Sequence, residues 1–275
     1  MSEREHDLEF ARAGPPPAPS MPTRLFSVWM RHARVYSDSL LANATPAVLE
    51  PLFLLLAVGF GVGRYIEAEF NGLPYQEFMA AGILGMTALY TAAFEATHAT
   101  FVRLRYQRAY SSMLNSPLTP RDIFVGELLW CATKGLFYTT IVAVVLTVAG
   151  AVSSPWILLA PVAGFVTSIA FGGLGFLVTS VVSNINQFQF FFTAGLTPMV
   201  FFSGLMFPVQ ELASPLREIA YATPMFHVIE TFRMLTSGAS HASVEWVWIC
   251  PFVMVASALF FGAWGVRRME TRVVG

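Results

Sequence analysis

The sequence predicts an all-α membrane protein, because of its composition and its six long apolar runs. Hydrophobic residues make up 55% of the 275 residues and charged residues 12%, with a mean hydropathy of +0.60. Counted with the 20 glycines, the apolar share is about 62%, against roughly 45–50% in a soluble domain. A soluble globule of this size could not hide so much apolar surface. The expected architecture is an N-terminal interfacial helix, six transmembrane helices and an outer re-entrant helical hairpin before the last of them.

The charges exclude several classes of function. The formal net charge is −1 and the basic residues are scattered, whereas a nucleic-acid-binding protein needs a concentrated basic surface. The single lysine, Lys134, is followed by Gly135, so the chain has no Walker A loop with which to bind ATP. The five histidines show no metal-ligand spacing, and Cys131 and Cys250 lie in apolar runs. We therefore expect no metal site and no cofactor bound by this chain.

The N-terminal region predicts a tail followed by an amphipathic helix. Residues 1–22 combine mixed charges with a proline-rich stretch, which is typical of a disordered cytoplasmic tail without a signal peptide. In the segment 24–41, the apolar residues fall within a stripe of about 80°, and the charged residues lie opposite. Such a helix suits the head-group region of a membrane; the alternative is a soluble helix packed on a partner. The membrane domain is expected to cover residues 24–268. The apolar stripe consists of Phe26, Trp29, Ala33, Tyr36 and Leu40.

Six segments are long and apolar enough to cross a bilayer, which takes about 20 residues. The third begins after Thr119-Pro120, a good N-cap followed by a residue that suits the first helical position. If the N-terminus is cytoplasmic, ten arginines lie in the segments on the cytoplasmic side of the spans and three lie in the segments on the outer side. This bias predicts that both termini are cytoplasmic. The predicted spans are about 46–64, 78–101, 123–149, 157–182, 188–207 and 246–266.

Four charged residues lie within the predicted spans, where charge is costly and usually functional. Glu95 on the second span and Lys134 on the third fall at similar depths, so we expect an ion pair between them. Exchanging the two charges should then restore what each single reversal removes. Glu50 and Glu127 are expected to reach water at the inner leaflet. For Lys134, a structural role and a transport role are equally open.

The loop between the second and third spans predicts a short helix below the membrane. Residues 103–120 combine basic and aromatic side chains with a short apolar turn and two prolines. One interpretation is the excess of positive charge that cytoplasmic loops carry in general. The other is a docking element for a cytoplasmic partner.

The outer segment 203–240 is too long for a simple turn. Its apolar periodicity predicts two short helices that are broken at Thr223-Pro224. We expect the hairpin, residues 208–235, to dip back into the outer leaflet, where protein must shield its non-helical backbone. A surface loop is the alternative.

Taken together, these features resemble the type-2 ABC exporter permeases over residues 24–270. The likeness is strongest at the end of the fifth span and in the hairpin. Several intramembrane motifs are most similar to NodJ-type permeases, which work with a NodI-type ATPase and are associated with lipo-chitooligosaccharide export. The stretches that resemble the family are Phe202-Ser203-Gly204-Leu205-Met206-Phe207-Pro208, Leu216-Arg217-Glu218-Ile219-Ala220, Thr223-Pro224-Met225-Phe226-His227, Arg233 and Met113-Leu114-Asn115-Ser116-Pro117-Leu118-Thr119-Pro120. Those most similar to NodJ-type permeases are Leu49-Glu50-Pro51, Phe94-Glu95, Gly126-Glu127-Leu128-Leu129-Trp130 and Ala132-Thr133-Lys134.

The resemblance implies a permease that exports an amphipathic molecule, such as a lipo-oligosaccharide or glycolipid, across the bacterial inner membrane. It also implies a permease homodimer and two copies of a separate ATPase subunit, which would bind ATP and Mg. Export of drugs or antibiotics is the alternative. A secondary transporter and an intramembrane hydrolase are rivals from other classes, but the sequence shows no internal repeat and no pairing of nucleophile and base.

The candidate functional residues form four groups. The helix below the membrane would receive the push of the ATPase, and aromatic side chains would line the substrate path. The candidates for ATPase docking are Arg103, Arg105, Tyr106, Arg108 and Tyr110; for an intramembrane ion pair or transport, Glu50, Glu95, Glu127 and Lys134; for the substrate path, Tyr90, Phe94, Phe190, Phe191 and Phe201; and for the outer hairpin, Pro208, Arg217, Pro224, His227 and Arg233.

Overall fold

The protein is an assembly of ten helices within the residues that the computed structural model describes, which are 19–66, 69–70, 72–238 and 244–274. Most of the predicted tail, residues 1–18, lies outside them. The described part contains no β-strand, and six helices are long and apolar enough to cross a membrane, which confirms the predicted fold class. The helices are α1 Met21–Ser37, α2 Leu40–Gly61, α3 Tyr75–Arg105, α4 Ala109–Leu114, α5 Pro120–Val148, α6 Pro155–Val181, α7 Ile185–Leu205, α8 Leu216–Ala222, α9 Pro224–Ser237 and α10 Val244–Val274.

The N-terminal helix α1 packs against α5. Trp29 donates from Nε1 to Oγ1 of Thr133 at 3.0 Å, and the hydroxyls of Tyr36 and Tyr138 form a hydrogen bond. The predicted apolar stripe is therefore not one continuous membrane face: Trp29 and Tyr36 contact another helix, and α1 ends at Ser37, before Leu40. The chain turns at Ser39, which has an extended φ of −136°, and Leu40 begins α2.

The long helix α5 starts at the predicted cap. The Thr119 hydroxyl accepts from the backbone N–H of Asp122, and the Asp122 carboxylate accepts from the backbone N–H of Thr119. Close packing then joins α5 to α6. A Cβ at Gly164 would lie 2.3 Å from Oγ1 of Thr139, so only glycine allows the two backbones to approach this far.

Three of the spanning helices contain π-helical turns. They lie at Leu55–Gly61 in α2, at Glu95–Ala99 in α3, and at Phe191–Leu196 and Phe201–Leu205 in α7. Helix α2 also contains Pro46 and Pro51 and is the least buried of the six. Irregular turns of this kind often occur at functional sites. These π-helical turns distinguish α2, α3 and α7 from the other three spanning helices, which are α5, α6 and α10.

The outer segment contains two helices, α8 and α9, that meet at Thr223, where the sequence predicts the break. Proline occupies the first position of α9, and Oγ1 of Thr223 accepts from the backbone N–H of Phe226 at 3.4 Å. Near the end of α7, Gly204 has a φ of +92°, which only glycine readily adopts. The chain therefore reverses sharply between α7 and the hairpin.

Candidate transport cleft and charged network

A cleft of about 270 Å³ lies between α2, α3 and α5. It brings together two of the predicted path residues, Tyr90 and Phe94, and two of the predicted charges, Glu50 and Lys134. Apolar rings and charged groups in one concave surface are what an amphipathic ligand needs. The cleft is lined by Asn43, Pro46, Glu50, Pro51, Met86, Thr87, Tyr90, Thr91, Phe94, Lys134 and Tyr138.

Lys134 lines this cleft from α5. Its Nζ is 2.9 Å from Oε2 of Glu95, the partner expected from the sequence, and 5.0 Å from the ring centre of Tyr36. The lysine side chain is 16% exposed and the glutamate 8%. Because the charge of Lys134 is neutralised by Glu95, the cleft does not present a free cation.

Arg103 extends this pair into a network. Its Nη1 lies 2.9 Å from Oε1 of Glu95, and its Nη2 lies 3.0 Å from Oε2 of Glu127. The guanidinium thus bridges two carboxylates through separate nitrogens, a geometry that lysine could not provide. With Lys134, the four residues hold two positive and two negative charges, so the buried network is neutral.

The expectation that Glu127 reaches water is wrong. Its side chain is 1% exposed, and besides Arg103 it accepts a hydrogen bond from Oη of Tyr110 at 2.6 Å. Thr100 donates to the same carboxylate at 3.0 Å, and Nε2 of His32 lies 3.3 Å away. The carboxylate therefore joins α1, α3, α4 and α5 at one point.

Two of the five docking candidates are also corrected. Tyr110 is 2% exposed, and the Arg103 side chain is 12% exposed and forms ion pairs with two glutamates. Neither residue therefore offers a surface to a partner. Burial, followed by the adjacent carboxylate of Glu127, raises the pKa of Tyr110 well above its usual value. The phenol therefore keeps its proton at neutral pH and remains a donor to Glu127.

The other three docking candidates are exposed at the corner between α3 and α4. Arg105, Tyr106 and Arg108 form one continuous solvent-facing turn, and the Tyr106 side chain is 67% exposed. Arg108 has a φ of +50°, a left-handed conformation that is uncommon for a non-glycine residue. The corner is thus sharply shaped and carries two arginines, with Tyr110 buried directly behind it.

The predicted path residues do not form one surface. Tyr90 and Phe94 line the cleft, whereas Phe190 and Phe191 line a separate apolar groove of about 660 Å³ between α6 and α7. Phe201 lies near the C-terminal end of α7. Phe192, which was not predicted, connects α3 to α7. Its ring stacks on Phe94 at 4.4 Å between centroids and on Tyr90 at 6.3 Å.

The hairpin candidates are placed unequally. Arg233 is 3% exposed and donates from Nη2 to the carbonyl of Gly204 at 2.7 Å, whereas Arg217 is exposed in a surface pair with Glu218. Burial lowers the pKa of His227, so its imidazole is neutral at pH 7, and Nε2 donates to the carbonyl of Tyr221 at 3.0 Å. The remaining two candidates are the prolines that precede the 3₁₀ turn Val209–Glu211 and that begin α9, Pro208 and Pro224.

The sequence did not indicate a role for two residues of α1 that contact α5. His32 reaches the network, with Nε2 3.3 Å from Oε1 of Glu127, whereas Arg24 forms a separate ion pair with Asp122 at 2.7 Å. The available signal was helical spacing, because His32 lies three residues after Trp29 and four before Tyr36, on the face that meets α5. In the described residues, no group of three or more His, Cys, Asp or Glu side chains could hold a metal ion.

The geometry predicts the outcome of exchanging the two charges of the Glu95–Lys134 pair. Because Glu95 also binds Arg103, Glu95→Lys would place a new cation beside that arginine even when Lys134→Glu supplies a counter-charge. We expect the double variant, whose four charges again sum to zero, to unfold at a higher temperature than the Lys134→Glu single variant, which has three negative charges and one positive charge, but at a lower temperature than the wild type. Thermal unfolding in detergent measures this, and a recovery to the wild-type midpoint would show that Arg103 does not constrain the pair.

Comparison with known proteins gives the family. Residues 23–236 match the family described as ABC-2 type transporter. The chain is 33% identical over 246 residues to nodulation protein J of Sinorhizobium fredii, covering 89% of this chain and 94% of that protein. It is 33% identical over 218 residues to nodulation protein J of Rhizobium leguminosarum bv. viciae, covering 79% and 84%. A probable multidrug ABC transporter permease of Escherichia coli, YbhR, is 22% identical over 207 residues, covering 72% of this chain and 54% of that protein. Together with the six apolar helices, these matches show that the chain is a membrane permease that belongs to the ABC-2 type transporter family.

Proposed function

We propose that the chain is the membrane subunit of an exporter that moves an amphipathic molecule, such as a lipo-oligosaccharide or glycolipid, outward across the bacterial inner membrane. Two copies would form the path, with both termini in the cytoplasm, and two ATPase subunits would supply the energy. The family implies such an ATPase partner. A permease without an energy source could only equilibrate its substrate, because a ligand shifts an equilibrium by no more than its differential affinity.

One observation carries the proposal: a continuous polar network connects the sub-membrane helix α4 to the wall of the cleft. It runs from Tyr110 through Glu127, Arg103 and Glu95 to Lys134, with contacts of 2.6, 3.0, 2.9 and 2.9 Å. Displacement of α4 by a partner would therefore act directly on the side chain that borders the cleft. A network of buried, paired charges transmits such a displacement well, because breaking any one contact leaves a buried charge unpaired.

The chemistry of the cleft supports an amphipathic substrate. Aromatic rings at Tyr90 and Phe94 offer flat apolar faces to an acyl chain or a sugar ring, while Asn43 and the exposed carboxylate of Glu50 offer hydrogen-bonding groups. The similarity to nodulation protein J favours the lipo-oligosaccharide that the resemblance to NodJ-type permeases implies. The similarity to a probable multidrug permease of Escherichia coli favours a drug instead.

Reconstituted transport tests this proposal. The permease and its ATPase are placed in liposomes, and ATP-dependent movement is measured for a fluorescent lipo-oligosaccharide and, separately, for a cationic dye. We expect movement of the lipo-oligosaccharide that stops when ATP is replaced by a non-hydrolysable analogue. Movement of the dye alone would favour the drug exporter, and movement of either compound without ATP would contradict the ATP-driven mechanism.

Charge reversal at the α3–α4 corner tests ATPase docking. The double variant Arg105→Glu/Arg108→Glu should weaken binding of the ATPase at least about tenfold, because like charges juxtaposed at an interface cost several kcal/mol. Arg34→Glu, an exposed arginine on α1, is the matched control. Co-purification measures binding, and equal recovery of the ATPase with both variants would exclude a docking role for this corner.

Removing one hydroxyl tests transmission separately from docking. Tyr110→Phe deletes the donor to Glu127 but leaves the exposed corner unchanged. We expect ATPase binding within about twofold of the wild type, since the change is buried, together with a lower ratio of molecules exported to ATP hydrolysed. An unchanged ratio would mean that the network does not carry the coupling.

A further inference from the structure

A second concave surface lies away from the cleft, between α5, α6 and α10. It is a groove of about 340 Å³ whose apolar wall includes Leu128 from α5, Ile169 from α6 and Ala258 from α10. Two arginines and one glutamate line its other end, namely Arg121, Arg267 and Glu270. The groove thus has an apolar part and a charged part.

The two arginines are available to a ligand. Both are exposed, and neither forms an ion pair within the part of the chain that the structure describes, in contrast to Arg24, Arg103 and Arg233. Glu270 contributes one negative charge against their two positive charges. The charged end of the groove therefore carries a net charge of about +1 and favours an anion.

The position of the charged end corresponds to the membrane surface. Arg121 lies one residue inside the start of α5, and Arg267 lies near the end of α10, where Trp264 is 43% exposed. Exposed tryptophan and arginine at a helix end are typical of the head-group level. From Arg267 back to Ala258 the helix rises about 14 Å, close to the roughly 15 Å of one half of the hydrocarbon core.

We propose that this groove binds an anionic glycerophospholipid, with the phosphate between Arg121 and Arg267 and an acyl chain along the apolar wall. Basic pockets between transmembrane helices are suited to acidic head groups, and the apolar wall excludes free phosphate as an adequate ligand. A zwitterionic lipid would bring a cation to the two arginines and is disfavoured. The site is independent of the transport cleft, and it holds whether or not the proposed substrate is correct.

Native mass spectrometry of the purified full-length chain in detergent measures this binding. The probes are phosphatidylglycerol, phosphatidylcholine and inorganic phosphate, each added to delipidated protein. We expect phosphatidylglycerol to bind more tightly than phosphatidylcholine, and inorganic phosphate not to compete. Arg121→Gln and Arg267→Gln should each weaken phosphatidylglycerol binding about fivefold, in line with the contribution of one basic residue near a charged membrane surface.

Three further variants make the result specific. Arg268→Gln is the matched control, because this arginine is adjacent to Arg267 and exposed but does not line the groove. The Arg268→Gln variant should bind phosphatidylglycerol within about twofold of the wild type. Ala263→Phe fills the groove from an exposed position and should weaken lipid binding while both arginines remain. Glu270→Gln removes the negative charge at the groove and should strengthen phosphatidylglycerol binding.

Several outcomes would overturn the proposal. If Arg267→Gln and Arg268→Gln have equal effects, the lipid responds only to diffuse surface charge. If inorganic phosphate displaces the lipid, the apolar wall contributes nothing. If Ala263→Phe changes the oligomeric mass without changing lipid binding, a second copy of the chain covers the groove instead.

Discussion

Replacing Arg103 by methionine should lower the free energy of unfolding by about 3–5 kcal/mol, the cost of breaking a buried ion pair by removing one partner. The guanidinium binds Glu95 and Glu127 at 2.9 and 3.0 Å, and these carboxylates are 8% and 1% exposed. Without the arginine, the network has two negative charges and one positive charge. Unfolding of the detergent-solubilised protein, followed by heat or denaturant, gives the difference.

Two additional variants separate charge from packing at this position. Arg105→Met removes an exposed arginine two residues away and should cost less than about 0.5 kcal/mol. Adding Glu127→Gln to Arg103→Met removes the excess negative charge, so at least half of the lost stability should return. Equal stability of the Arg103 and Arg105 variants would contradict the network described here.

The second large effect is expected at Arg233 in the outer hairpin, where Arg233→Leu should cost about 3 kcal/mol or more. Its Nη2 donates to the carbonyl of Gly204, its Nη1 pairs with Glu230, and its guanidinium lies 4.1 Å from the ring centre of Phe78. The leucine would leave a half-buried carboxylate and a buried carbonyl without partners. Thermal unfolding again measures the loss.

Arg217→Leu is the matched control in the same hairpin. Arg217 and Glu218 are 42% and 54% exposed, and exposed ion pairs contribute about 0–1 kcal/mol. A loss at Arg217 as large as that at Arg233 would mean that the hairpin is stabilised by general charge balance and not by the buried arginine. Arg233→Lys should retain only part of the stability, because lysine cannot bind the carbonyl, the carboxylate and the ring together.

The features that could be predicted from the sequence are those with a local cause. The six spans follow from the length of the apolar runs, and the start of α5 follows from Thr119 and Pro120. The break at Thr223 follows from the proline after it. The depths of Glu95 and Lys134, counted along each helix from one end of the span, were sufficient to suggest their contact, although the count for Glu95 crosses the π-helical turn Glu95–Ala99.

The remaining features depend on how helices are placed around one another. A carboxylate near a helix end, such as Glu127, reaches water unless another helix covers it, and here α1 and α4 do so. The same covering buries Tyr110, although Arg108 and Ser111 close to it in the sequence are exposed. Helical spacing identifies which residues share a face but not which neighbour that face meets, so the separation of Phe190 from Phe94 was not foreseeable.

The π-helical turn Glu95–Ala99 has a consequence for how this helix can switch. Such a turn accommodates one residue more than an α-turn, and moving that surplus residue along the helix rotates the residues that it passes by about 100°. Glu95 is the first residue of the turn, and Arg103 lies on the far side of it. Moving the turn beyond Arg103 would therefore rotate the arginine away from its two carboxylates without unwinding the helix, and α3 would then switch between two discrete registers instead of bending gradually.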